Sequence, residues 1–291
     1  MDPTALLGYS QRQRDAYGLT RFRIADPHWW VSGEARNGTQ RWIPAALVFS
    51  PFADWPSWAH PGYASSNGAA AHQDRDESQT RAWLELNERD AFLRMYMSRR
   101  PPARLDPDIL PGGLRQLLSA LTGPNFDDAA VFIQMTSSLG IVTHGCLVRH
   151  AGRVVVGASA QTNAHAALCK AAAEVAMQLH FPLGNSPIAV ADVRTPEDHS
   201  RLYATPEACA RVAWMFDGDV NGTPVDNTAD LEPLLADAAF YTVEADSLFV
   251  SRAIDTRIVQ MVFGYDVLPE ENETLRQCSE DAWDTFPHPF A

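Results

Sequence analysis

Residues 65–92 read SSNGAAAHQDRDESQTRAWLELNERDAF, a turn of small residues running into a strongly charged stretch. Asp74 stands as a helix N-cap with Glu77 three positions on, in capping-box spacing. Pro101-Pro102 stops a helix that begins there, so the spacing predicts a helix over 74–98. At about 100° per residue, Glu77, Arg81, Glu85 and Glu88 fall within about 80° of one another, and Trp83, Leu86, Leu93 and Met97 gather opposite. The pattern predicts one buried face and one charged stripe. A solvated face is the plain reading of that stripe. A site for a charged ligand is the other, because three carboxylates on one face repel unless a cation sits between them or Arg81 and Arg89 suffice. The Ser65-Ser66-Asn67-Gly68 turn would offer backbone amides and hydroxyls to phosphate oxygens at the helix N-terminus.

The rest of the chain bounds the choice. It has 291 residues, 46% hydrophobic and 20% charged, an ordinary composition for a soluble globular protein. No stretch approaches the roughly 18 apolar residues of a membrane span, and no basic segment followed by an apolar run marks a secretion signal. Cys146, Cys169, Cys209 and Cys278 lie far apart without a C-x-x-C pair, which predicts reduced thiols and a cytoplasmic protein rather than a disulfide framework or a zinc site. The net charge is −13 and the one lysine is Lys170, so nucleic acid is excluded as a partner. A nucleotide is not, because magnesium can bridge carboxylates to phosphates.

Along the chain, apolar stretches flank Asn37-Gly38 and predict a hairpin. Residues 52–64 read as a loop, 113–122 and 164–180 as helices, and 130–136, 141–149, 152–158, 187–194, 238–250 and 257–264 as strands. Asn163 is a reasonable cap for the second of those helices, and Lys170, Glu174 and Gln178 line one of its faces. The irregular alternation predicts an α+β class of mixed sheets with packed helices. Phosphate-loop, dinucleotide and hydrolase-elbow motifs are missing, as is H-E-x-x-H. The D-G-D-V-N-G run at 217–222 lacks the glutamate that closes a calcium loop, with Asp226 near its end, and reads as a plain turn. His144 and His165 read as core or surface histidines rather than ligands.

The opening stretch resembles the S-N-G-x-A-A-G-N-T-x-x-E-A…E-x-x-E-R-D signature of the YcaO family. GRVVVGASAQTNAHAALCKAAAEVAMQL is similar to the later family stretch ending in R-A-L-x-E-x-x-Q, and SRAIDTRIVQMVFGY to its late strand ending in H-F-G. Phe286-Pro287-His288-Pro289-Phe290 resembles the proline-rich C-terminus of the azoline-forming members. The resemblance implies ATP and Mg2+ as cofactors, used to phosphorylate a peptide-backbone amide oxygen after a Cys, Ser or Thr side chain has attacked the carbonyl. Loss of phosphate then leaves a thiazoline or oxazoline in a ribosomally made precursor peptide.

Carried over by position, the resemblance makes Glu77 and Glu88 magnesium ligands. Glu85, Arg89, Ser66, Gln73, Lys170 and Glu174 become nucleotide contacts, and Pro287 and Pro289 direct the tail toward the active site. His72 stands where the family has glycine, Gln73 where it has asparagine, Lys170 where it has arginine, Asn87 at a normally apolar position and Ala291 at a proline. The family's N-terminal segment, with its own E-x-x-E-R helix, is not found, and residues 1–20 read as a loosely ordered segment before a partial domain over 21–291. The expectation is therefore a cyclodehydratase subunit. A second chain would supply the missing half-site, and a leader-peptide-binding partner would present the precursor. A non-catalytic scaffold and a TfuA-assisted thioamidation enzyme are the alternatives.

Overall fold

In a computed structural model the described residues are 15, 29–49, 66–123, 126–180, 186–259, 261, 263–264 and 286–290. The expected loose segment over 1–20 apart from residue 15, the loop over 52–64, Cys278 and Ala291 lie outside them. The described residues of Met1–Asp90 and Ala229–Val262 make one packing unit, and those of Ala91–Thr228, Phe263–Asp266 and Asp281–Ala291 make a second.

The first unit begins with the expected hairpin, β1 (Trp30–Glu34) against β2 (Gln40–Pro44), with Glu34 opposite Gln40. The loop is wider than a two-residue turn. Ala35 N–H donates to Thr39 O, Asn37 Oδ1 accepts from Thr39 N–H, and Gly38 takes φ +78°, so Asn37 and Gly38 shape the loop without being all of it. β3 (Ala69–His72) follows, then α1 (Arg75–Met97), β9 (Ala239–Ala245) and β10 (Leu248–Ile254). The five strands form one sheet in the order β2-β1-β9-β10-β3, each neighbouring pair antiparallel. Ile43, Ala239 and Ile254 pack with Val31, Leu47, Val48 and Tyr241 as one apolar cluster. Toward α1 the contact is polar: Ser78 and Ser251 hydroxyls lie 2.6 Å apart and Gln79 Nε2 donates to Thr242 Oγ1 at 3.2 Å.

The expected strand over 238–250 is in fact two strands of a hairpin. Asp246 takes φ +55° and turns the chain between them, a conformation that aspartate tolerates better than most residues. The strand expected over 257–264 is not formed by its described residues. There Arg257 ties the backbone down through Asp255, Asp237 and Leu234 O, so the segment runs irregularly.

In the second unit β5 (Ala130–Thr136), β6 (Val142–His150) and β7 (Arg153–Ser159) form the meander that alternation and turn glycines predict. β4 (Ala103–Leu105) extends it, and β8 (Val220–Gly222) joins β4 in parallel. α2 (Gly112–Thr122), the one-turn α3 (Phe126–Ala129) and α4 (Ala164–His180) bury Leu118, Phe126, Leu168, Ala171, Ala172 and Val175 with Phe132, Cys146 and Val155 of the sheet. The run 217–222 is not the plain turn expected: after a bend at Gly218, Val220–Gly222 is β8 itself, held by its pairing with β4, and Asp226 Oδ1 accepts the first N–H of α4, from Ala164, at 2.7 Å. Residues 187–194 are not a strand. Pro187 cannot donate to a ladder, and the segment leads into α5 (Pro196–Leu202) through the Thr195/Asp198 capping box. α6 (Pro206–Arg211) repeats the Thr-Pro start at Thr205.

Candidate active site

α1 opens as its sequence demands. Asp74 Oδ1 accepts Glu77 N–H at 2.8 Å, half of the expected capping box. The reciprocal half is made by another group: Asp74 N–H donates to His72 Nδ1 at 3.0 Å, while Glu77 Oε1 accepts from Arg81 Nε at 2.8 Å. His72 thus closes the turn preceding the helix. The small-residue turn before it is pinned twice. Ala69 N–H donates to Ser66 O at 2.9 Å, and Ala253 N–H donates to Gly68 O at 2.8 Å. Gly68 takes φ +74°, and a Cβ there would meet Leu86 of α1 at 2.6 Å, so only glycine lets the turn lie against the helix. Ser66 and Gln73 are exposed at the two ends of this segment, and Asn67 is buried, its Nδ2 donating to Met261 O.

Beyond its first turns α1 does not keep a solvated stripe. Residues 82–97 are buried nearly all round, and Glu85 and Glu88 go inside with them, while Glu77 and Arg81 stay partly exposed. Glu88 is 1% exposed. Arg89, mostly buried, places Nη2 at 3.5 Å from Glu88 Oε1 and 3.8 Å from Glu85 Oε1. Arg252 of β10 is a further, partly buried cation in this neighbourhood. Burial lowers its pKa to about 10, and the charge of Glu85 pulls the other way. The isolated charge pattern, with Leu and Val around it in LFVSRAI, was the signal for Arg252 that the sequence reading passed over.

Whether magnesium fits can be judged from these side chains. Mg2+ is held by one or two carboxylates together with phosphate oxygens rather than by an all-protein cage. Glu85 and Glu88, one turn apart with Glu88 buried, match that pattern. No group of three metal-binding side chains stands together among the described residues. Glu77 lies about 16 Å along the helix axis from Glu88, so the two cannot share one ion. Glu77 is half-exposed and paired with Arg81.

The remaining expected residues belong to the second unit. Lys170 Nζ lies 3.8 Å from Glu174 Oε1 on α4, both partly exposed, and Gln178 Nε2 donates to Val156 O. Gly157 of β7 receives α4: a Cβ there would stand 2.3 Å from Ala171 O and 3.1 Å from Glu174 Cβ. Pro287 and Pro289 are buried, and Pro287 O accepts from the Tyr203 hydroxyl at 2.7 Å.

The family described as "YcaO cyclodehydratase, ATP- and Mg2+-binding" matches residues 1–261. The chain belongs to the YcaO family. Among solved structures, this YcaO chain is similar to a "heterocyclase in complex with substrate and cofactor" at TM-score 0.73 and 16% identity. The match covers 100% of the chain and 44% of that structure. For the heterocyclase TruD the TM-score is 0.69 at 17% identity, over 100% of the chain and 45% of TruD. A YcaO from Methanopyrus kandleri bound with AMPPCP and Mg2+ gives 0.59 at 20% identity, over 82% of the chain and 66% of its own. At these identities the likeness shows the fold, and the YcaO chain spans less than half the length of the two heterocyclases. No curated protein sequence matches it. The α+β class of mixed sheets is as expected, and ATP and Mg2+ are the ligands of the family to which the chain belongs.

Proposed function

We propose that the chain is a subunit of an ATP-dependent peptide-backbone cyclodehydratase that forms thiazoline or oxazoline rings in a ribosomally made precursor peptide. The observation that carries this reading is Glu88, a carboxylate buried on a helix whose other interior positions are mostly apolar, with Arg89 and Glu85 beside it. Burying a charge is costly unless it is paired or binds a cation. A fold that merely needed a helix there would have placed leucine.

In this reading Glu88 and Glu85 hold a magnesium ion, and Glu77 belongs to a separate one. Arg89 meets phosphate oxygens with its planar fork, and Ser66 and Gln73 contribute polar contacts at the ends of the turn. Lys170 and Glu174, in the second unit, are proposed as nucleotide contacts on the family resemblance alone. Magnesium, when bound, spreads the charge of the transferring phosphate. The protein's share is to fix the carboxylates, keep water from the reacting amide oxygen and hold the peptide in line. The similar microcin synthetase McbBCD complex from E. coli contains several proteins, and one of its structures holds pro-MccB17. That supports a precursor peptide and partner proteins in general as companions here.

The scaffold reading has its own observation: Glu77 is already neutralised by Arg81, and Glu88 by Arg89, within the chain. Glu88→Gln separates the two. In the assembled complex with precursor peptide and Mg-ATP, a catalytic subunit loses ring formation by about 10²-fold or more. Unchanged ring formation leaves the scaffold.

A further inference from the structure

The segment Phe286-Pro287-His288-Pro289-Phe290 has five carbonyls but, with two prolines, only three backbone N–H groups. Such a segment is best held through side-chain donors, and the second unit supplies three. Tyr203 Oη donates to Pro287 O at 2.7 Å, Tyr96 Oη to Phe286 O at 3.1 Å, and His199 Nδ1 to His288 O at 2.6 Å. A carbonyl can only accept, so the proton sits on Nδ1 of His199. Its other nitrogen, Nε2, accepts the Gly264 N–H at 2.9 Å. One fully buried imidazole in the neutral Nδ1–H form therefore joins two segments that are far apart in sequence, 263–264 and 286–290. Ring contacts fill in around it, with Phe92 at 4.9 Å from Phe290 and Arg211 at 4.3 Å over Phe286.

We propose that His199, with Tyr203 and Tyr96, is a positioning latch for residues 286–290 that closes only while its imidazole is neutral. A proton added at Nε2 would point at the Gly264 N–H, donor against donor, and release the 263–264 side of the latch. The groups facing the ring are consistent with this. Asp198 on the same helix is occupied by the Arg194 and Thr195 amides and by Arg201. The His288 ring lies 4.5 Å away, Phe263 offers only an edge, and Tyr203 and Tyr96 are directed at the tail carbonyls. Burial accordingly lowers the His199 pKa to about 4, against smaller opposing contributions from the His288 carbonyl and Asp198.

The latch stands by itself as a structural claim, and its catalytic consequence rests on the cyclodehydratase reading. Amide hydrogen exchange on the full chain, followed by mass spectrometry, tests the first. In His199→Leu, and independently in Tyr203→Phe, exchange at His288 and Phe290 is expected to rise about 10-fold, while β5–β7 stay protected. Unchanged exchange in the folded variants overturns the latch. In the wild type, exchange corrected for its intrinsic pH dependence should rise as pH falls toward 4. His199→Gln, which keeps a donor and an acceptor but cannot titrate, should stay flat, and coincident profiles overturn the requirement for a neutral ring. In the assembled complex with precursor peptide, His199→Leu should lower kcat and leave the KM for ATP unchanged. Raised exchange with intact kcat refutes the positioning role. A wild-type complex that forms no ring refutes the cyclodehydratase reading instead, and the exchange data still decide the latch.

Discussion

In the proposed function, Glu88 is the residue on which the chemistry turns. Its carboxylate is buried beside Arg89, and Arg89 reaches Glu85 as well. Residues that serve a ligand rather than the fold leave stability nearly intact when they are neutralised. Glu88→Gln is therefore expected to change the melting temperature by only a few degrees, equivalent to about 1 kcal/mol, and to weaken Mg-ATP binding measured by calorimetry. A large loss of stability with nucleotide affinity preserved would make the ion pair structural. Arg252 bears on the same site from β10. Arg252→Met keeps the length of the stem but removes the partly buried charge near Glu85, and nucleotide affinity should fall with little loss of fold, read by the same titration.

At the scale of elements, two glycines fix where helices can lie. Gly157→Ala puts a Cβ at 2.3 Å from Ala171 O, so α4 must move off β7. Overpacking of this kind costs about 1–3 kcal/mol, measurable by urea denaturation, and it shifts Glu174 with the helix. Gly68→Ala combines a left-handed backbone with contact against Leu86, and about 1–2 kcal/mol should be lost for the backbone alone. These same elements show what was legible. α4 and the β5–β7 meander fall where Ala-rich periodicity and apolar alternation put them. β4, β8, α5 and α6 were not foreseen, being too short for periodicity to register, though Thr-Pro-Glu at 195–197 and 205–207 is a local start signal for both helices. The charged stripe of α1 was legible as spacing. That its second half, Glu85 and Glu88, is enclosed was not, because helical angle says which residues share a face and not what covers the face.

For the whole molecule, pH reports two buried histidines. Burial lowers both His144 and His199 from 6.5 to about 4, and both ring nitrogens of His144 have no hydrogen-bond partner among the described residues. The unfolded chain takes up protons that the folded chain refuses, so stability is full above about pH 6.5 and declines as pH falls toward 4, by roughly 3 kcal/mol per ring. His144→Gln should flatten half of that decline in a pH series of thermal melts. In the proposed reading, function at this scale is collective. ATP hydrolysis is expected only when precursor peptide and partner chains are present, and rapid turnover by the purified chain alone would contradict the shared-site reading.

Local sequence determined the turn at 66–69, the cap of α1, the length of α4 and the meander, because each depends on neighbours within a few residues through backbone conformation, capping and periodicity. Tertiary structure decided that Glu88 is enclosed, that Arg252 comes up beside Glu85, and that His199 joins 264 to 288. Burial and proximity between residues distant in the chain come from packing, which no local pattern encodes.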